Sequence, residues 1–281
     1  MDARPDEQVP ETPPPRPDRS STTRPTSLGA GLRRVPEVTA SFWIIKVLTT
    51  AMGESTSDYL VHRFDPVIAV AFGAMGLAVA LALQFSARRY VPWTYWLAVL
   101  MVAVFGTMAA DVLHIKFGVP YVASTVFFAV VLAVVFAVWH ATEKTLSIHS
   151  ISTTRRELFY WCTVVSTFAL GTAAGDLTAI TVHLGYFFSG VLFAGLITVP
   201  ALAYRWFGLN KILAFWSAYI VTRPLGASFA DWTGKAHGVD GLALGDGPVS
   251  LALAILIACF VAYLTVSTRD VRDTDKEPRP A

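Results

Sequence analysis

Cysteine and charge are both scarce in this 281-residue chain: there are two cysteines, and only 15% of the residues are charged. Cys162 and Cys259 each fall inside an apolar run, which excludes a disulfide framework and a thiolate zinc site. A net charge of +2 offers no basic surface, so no nucleic-acid partner is expected. No Ser/His/Asp order, phosphate loop or dinucleotide fingerprint is present; the chain is expected to be no enzyme and to carry no cofactor. Apolar residues are abundant instead: 54% of the chain is hydrophobic and the mean hydropathy is +0.53. That balance exceeds a soluble domain's and predicts a polytopic membrane protein with the lipid bilayer as its first partner.

Residues 1–36 are rich in Pro, Arg, Asp, Ser and Thr and cannot build a core, so they read as a disordered cytoplasmic tail. No secretory signal is expected, because the first apolar run begins near Ala40. Eight apolar runs follow, at about 38–59, 66–85, 92–113, 121–140, 157–179, 186–205, 212–232 and 248–267, each close to the ~20 residues that span a bilayer. They fill a membrane domain over 37–268, and a second cytoplasmic tail takes 269–281.

One frame recurs four times in that domain. An aromatic residue and a Trp are followed by a Gly ten residues after the Trp and an Asp five after the Gly. The copies are Phe42-Trp43, Gly53, Asp58; Tyr95-Trp96, Gly106, Asp111; Tyr160-Trp161, Gly171, Asp176; and Phe215-Trp216, Gly226, Asp231. Such self-similarity defines repeats, here about 37–87, 88–142, 153–207 and 208–268. Each pairs a motif helix with a plainer apolar helix, so the unit is expected to be a helical hairpin. Two helices per unit return the chain to the same side, which makes the repeats parallel about the membrane normal. The predicted fold is all-α: eight transmembrane helices in four parallel hairpin repeats, pseudo-fourfold or nested twofold.

Short-loop Lys and Arg residues set the orientation. Arg33, Arg34, Arg88, Arg89, Lys144, Arg155, Arg156, Arg205, Lys211, Arg269 and Arg272 fall on one side; Arg63, Lys116 and Lys235 fall on the other. Both termini are therefore expected in the cytoplasm. With the Trp at that boundary, as aromatic-belt residues, the Asp lies 15 residues deeper, roughly 22 Å along a helix.

A carboxylate at that depth is costly and marks function. Glu54 with Asp58, Thr107 with Asp111, and Thr172 with Asp176 stand four apart on one helix face, while the fourth copy has Ala227 before Asp231. Gly53, Gly106, Gly171 and Gly226 leave room for close helix approach one turn earlier. Asp58, Asp111, Asp176, Asp231 and Glu54 are thus predicted metal ligands, with Thr107 and Thr172 as supporting oxygens. Such hard oxygen donors suit Mn²⁺, Ca²⁺ or Mg²⁺. Lys46 is expected to snorkel to the cytoplasmic surface. Arg223 lies deeper and needs a carboxylate or carbonyl partner, either as a counter-charge to the site or in a fixed structural ion pair. His114 and His183 read as loop histidines, and 233–247 as a flexible outer connection.

At Pro36-Glu37-Val38-Thr39, Phe42-Trp43-Ile44-Ile45-Lys46 and Thr222-Arg223-Pro224-Leu225-Gly226-Ala227 the sequence resembles a family of uncharacterised, repeat-containing, membrane-anchored bacterial proteins. The resemblance covers about 36–268 and implies the bacterial inner membrane. A looser similarity is to cation exporters with an acidic Glu-x-Gly-Asp signature, from which the spacing of Gly53-Glu54 and Asp58 departs. The expected function is export of a divalent cation, Mn²⁺ before Ca²⁺ or Mg²⁺. The alternatives are a membrane scaffold or sensor held by an Asp–Arg network, and a proton or monovalent-cation channel. Assembly as a homo-oligomer is left open by the sequence.

Overall fold

A computed structural model describes residues 34–267, all of whose regular elements are helical. Eight long helices run in chain order: α1 Ala40–Arg63, α2 Pro66–Ser86, α3 Pro92–Ile115, α4 Tyr121–Glu143, α5 Thr154–Asp176, α6 Gly185–Phe207, α7 Lys211–Gly234 and α8 Asp246–Ser267. Each coincides, within a few residues, with an apolar run expected from the sequence. Local chemistry sets their starts. Side chains of Thr39, Asp65, Thr153 and Asn210 accept from free backbone N–H groups of the first turn. Pro66 and Pro92 occupy first-turn positions that need no donor. The α4 and α6 ends turn through Lys144 and Gly208 in the left-handed region.

Six helices, α2 to α6 and α8, are long and apolar enough to cross a membrane. The other two, α1 and α7, hold the buried ionic residues Lys46, Glu54, Asp58, Arg223 and Asp231, which lowers their hydropathy. Those residues face the protein interior, where lipid is excluded.

The four motif helices form a closed ring, α1 against α3, α3 against α5, α5 against α7, and α7 against α1. Equivalent residues meet at every joint. Gly53 lies against Ala103, Gly106 against Phe168, Gly171 against Arg223 and Gly226 against Thr50. In each case the glycine of one repeat faces the residue three before the glycine of the next. A Cβ on Gly106 would stand 2.8 Å from that of Phe168, so close backbone approach is what these glycines supply. The aromatic pairs repeat the cycle. Phe42 packs on Trp96 at 5.6 Å, Tyr95 on Trp161 at 5.7 Å, Tyr160 on Trp216 at 6.1 Å and Phe215 on Trp43 at 5.7 Å. Motif helices whose equivalent residues touch at both levels run parallel.

Two expectations are corrected here. The hairpin is a chain order rather than a packing unit: α2 packs chiefly on α3, α4 on α5, α6 on α7 and α8 back on α1. Each plain helix therefore seats on the motif helix of the following repeat, and α8 closes the circle. Trp96, Trp161 and Trp216 are also not belt residues, since they are buried in the aromatic layer between repeats. There they bury large apolar area in edge and tilted ring contacts.

Arg34 and Val35, at the end of the expected N-terminal tail, are packed: Arg34 pairs with buried Glu157 at 2.5 Å and Val35 joins the core. Residues 1–33 of that tail and the tail at 269–281 lie outside the described residues.

Candidate functional site

Along the ring axis the polar residues are stacked in layers. Nearest the aromatic layer is Lys46, 1% exposed, its ammonium 3.9 Å from the Phe168 ring centre and 4.1 Å from that of Tyr219. It turns inward, over the aromatic faces, instead of snorkelling to the surface as expected from its place near the helix start. The ring quadrupoles offer it partial compensation.

One turn deeper is Arg223. Its Nη2 donates to the Glu54 carboxylate, to Thr107 Oγ1 and, at 2.7 Å, to Thr172 Oγ1. Glu54, Thr107 and Thr172 each directly follow the glycine of their repeat. The fourth repeat has small Ala227 at that place and sends Arg223 in from three residues before its glycine. One guanidinium thus ties all four repeats together at the axis. Pro224 follows inside α7, which remains a single helix. Arg223 Nε and Nη1 are buried and have no acceptor among the described residues, so a demand for further hydrogen bonds remains at this layer.

Beyond it come the aspartates. Carboxylate oxygens of Glu54, Asp58 and Asp231 lie within 4.8 Å of one another, and all three side chains are buried. Lys235 enters this group: its Nζ donates to Asp58 and stands 3.7 Å from Asp231. Burial alone would lower the pKa of this ammonium, but Asp231 and Asp58 outweigh that and hold it well above the ordinary lysine range. Asp111 and Asp176 occupy the equivalent places on α3 and α5. They are half-buried and within electrostatic reach of Glu54, Asp58 and Lys235, but outside the close carboxylate group. Asp176 ends α5 where the chain widens into a π turn at Leu177–Thr181, a feature frequent at functional sites.

The structure therefore gathers three of the five carboxylates closely and leaves two at the margin. It also adds residues that sequence reasoning missed. Lys235 lies four residues after Asp231, on the same face, a spacing that could have found it. Asp246, the first residue of α8, lies close enough to Asp58 to act on its charge. The segment carrying both is hydrogen-bonded rather than a loose connection. Leu242 N–H donates to Trp232 O at 2.7 Å, Ala243 to Lys235 O at 2.8 Å and Gly245 to Gly234 O at 3.1 Å, covering the α7 end. His114, expected in a loop, lies in the last turn of α3, with Nδ1 2.6 Å from Val119 O and Nε2 3.0 Å from Ser124 Oγ on α4.

Chemically, five carboxylates face the cations Arg223 and Lys235, so the layer favours positive charge. Oxygens up to 4.8 Å apart can share an ion, since opposite ligands of Ca²⁺ at about 2.4 Å stand about that far apart.

Four segments, 41–90, 94–145, 159–209 and 214–270, match the family described as "Repeat of Unknown Function (DUF347)". The chain belongs to that repeat family. Its four matches coincide with the four Trp-Gly-Asp copies, so the ring is built from one repeat per motif helix. No curated protein and no solved structure matches the chain significantly.

Proposed function

We propose that the chain is a multi-pass transporter of a divalent cation in the bacterial inner membrane, with all eight helices crossing and both termini cytoplasmic. The carrying observation is the meeting of Glu54, Asp58 and Asp231 inside the ring, with the Lys235 ammonium bonded among them. A cation already belongs to this place, and a mobile one can replace the tethered one. Hard oxygen donors favour Mn²⁺, Ca²⁺ or Mg²⁺, and the loose likeness to acidic-motif exporters puts Mn²⁺ and export first. Asp111 and Asp176, both half-buried, line the approach, and the α7–α8 connection, with the partly exposed Lys235 side chain, lies at its mouth.

A second reading has its own support. The Arg223 layer joins four helices through one guanidinium, as a structural lock would, and a scaffold needs nothing more. Flux into proteoliposomes containing a Mn²⁺-quenched dye separates the two. Transport predicts uptake that the Asp58→Asn/Asp231→Asn variant abolishes while it remains folded; a scaffold gives no uptake in either protein.

A further inference from the structure

The pseudo-fourfold packing is broken at one joint. Where α4 crosses towards the next motif helix but one, Phe136 and Trp139 reach the aromatic layer. Phe136 stands 5.2 Å from the Trp216 ring and Trp139 5.8 Å, with Trp139 also stacked 6.3 Å from Phe159. Trp139 is fully buried there. The same positions one repeat later, counted from the frame Trp residues, are Ala201 and Tyr204 on α6, and the residue equivalent to Trp216 is Trp43. Ala201 is too small to fill the space and Tyr204 is 44% exposed. Trp43 is accordingly the one frame Trp left half-buried.

The result is a groove of about 870 Å³ between α6, α7 and the start of α1, walled by Trp43, Ile197, Ala201, Tyr204, Phe215 and Ala218. Its rim, at the aromatic end of the ring, holds Lys211 and His149. His149 is 3.3 Å from Glu37, while Lys211 is exposed, as are Arg205, Trp206 and Phe207 at the adjoining end of α6. An apolar cleft, opening among exposed aromatics and cations at the end of an apolar helix, matches a lipid: acyl chains for the walls and an anionic headgroup for the rim.

We propose that this groove binds an anionic phospholipid, whose acyl chains take the space that Phe136 and Trp139 fill at the equivalent joint. The site is independent of the acidic layer and does not rest on the transport reading.

The test is thermal melting of the purified full chain in detergent with phosphatidylglycerol or phosphatidylcholine of identical acyl chains. Phosphatidylglycerol is expected to give the larger stabilising shift, because a ligand of the folded state raises stability by mass action. Ala201→Phe, which restores the filled joint, should lose that shift while melting no lower than the unaltered protein without lipid. If that variant does not fold, Ala201→Leu takes its place. Lys211→Ala should keep the response to acyl chains and lose the preference between headgroups. Equal shifts with both lipids in the unaltered protein, or an undiminished shift in Ala201→Phe, overturn the proposal. So does a smaller oligomer for Ala201→Phe on size-exclusion chromatography, which would make a second copy the occupant.

Discussion

Lys235 Nζ bonds the carboxylate of Asp58, a residue 177 positions earlier, and stands 3.7 Å from Asp231 on its own repeat. Closing the ring between α7 and α1 is what brings the two together. The contact puts a protein cation where three carboxylates converge.

Replacing Lys235 by Met leaves Asp58 and Asp231 without their ammonium partner. We expect a loss of about 1–3 kcal/mol, the scale for removing one partner of a part-buried charged pair. The raised folded-state pKa of Lys235 gives a stabilisation fully present below about pH 10.4, the unfolded value, and lost only as pH rises through the higher folded value. The deficit of Lys235→Met should therefore stay constant between pH 7 and 9. Melting curves across that range check it, and a deficit that fades by pH 9 would contradict the assignment.

Arg223→Met removes the guanidinium at the axis and leaves Glu54 buried without its cation. The expected cost is about 3–5 kcal/mol. Glu54→Gln in the same chain should recover part of it, because the stranded charge is gone. A double-mutant cycle by denaturant unfolding reads the coupling, and additive losses would mean the pair is not energetically joined.

The ring glycine Gly226 contrasts with Gly195 on α6. A Cβ on Gly226 would fall 2.8 Å from Thr50 Cβ and 2.9 Å from the Ala51 nitrogen, whereas one on Gly195 meets nothing within 4 Å. Gly226→Ala should cost about 1–3 kcal/mol through overpacking, and Gly195→Ala should be neutral or stabilising by up to about 1 kcal/mol. Comparable melting for the two variants would deny the close approach its role.

Much of this architecture was legible in the chain. The Trp-Gly-Asp frame announced four equivalent helices, and its fixed spacing put equivalent residues at one depth. The partner of each plain helix was not legible, because α2 can lean on α1 or α3 with the same apolar surface and periodicity. Lys46 misled for a related reason: its distance from the helix start fits snorkelling, and only the aromatic faces of Phe168 and Tyr219, from other repeats, turn it inward. Lys235 was hidden by a Gly-rich segment that reads as loose until its hydrogen bonds to the α7 end are seen. Arg223 was recognised as needing a carboxylate or carbonyl partner, but that the partner is Glu54 required the ring.

The most direct test is whether the acidic layer binds a divalent ion at all. Thermal melting of the purified chain with Mn²⁺, Ca²⁺, Mg²⁺, Zn²⁺ and K⁺ measures it, since binding to the folded state alone raises stability. The expected result is a shift with Mn²⁺, weaker with Ca²⁺ or Mg²⁺ and absent with K⁺. It should vanish in Asp58→Asn/Asp231→Asn and grow in Lys235→Met. No shift with any divalent ion, or one that survives the double substitution, would contradict a cation site at this layer.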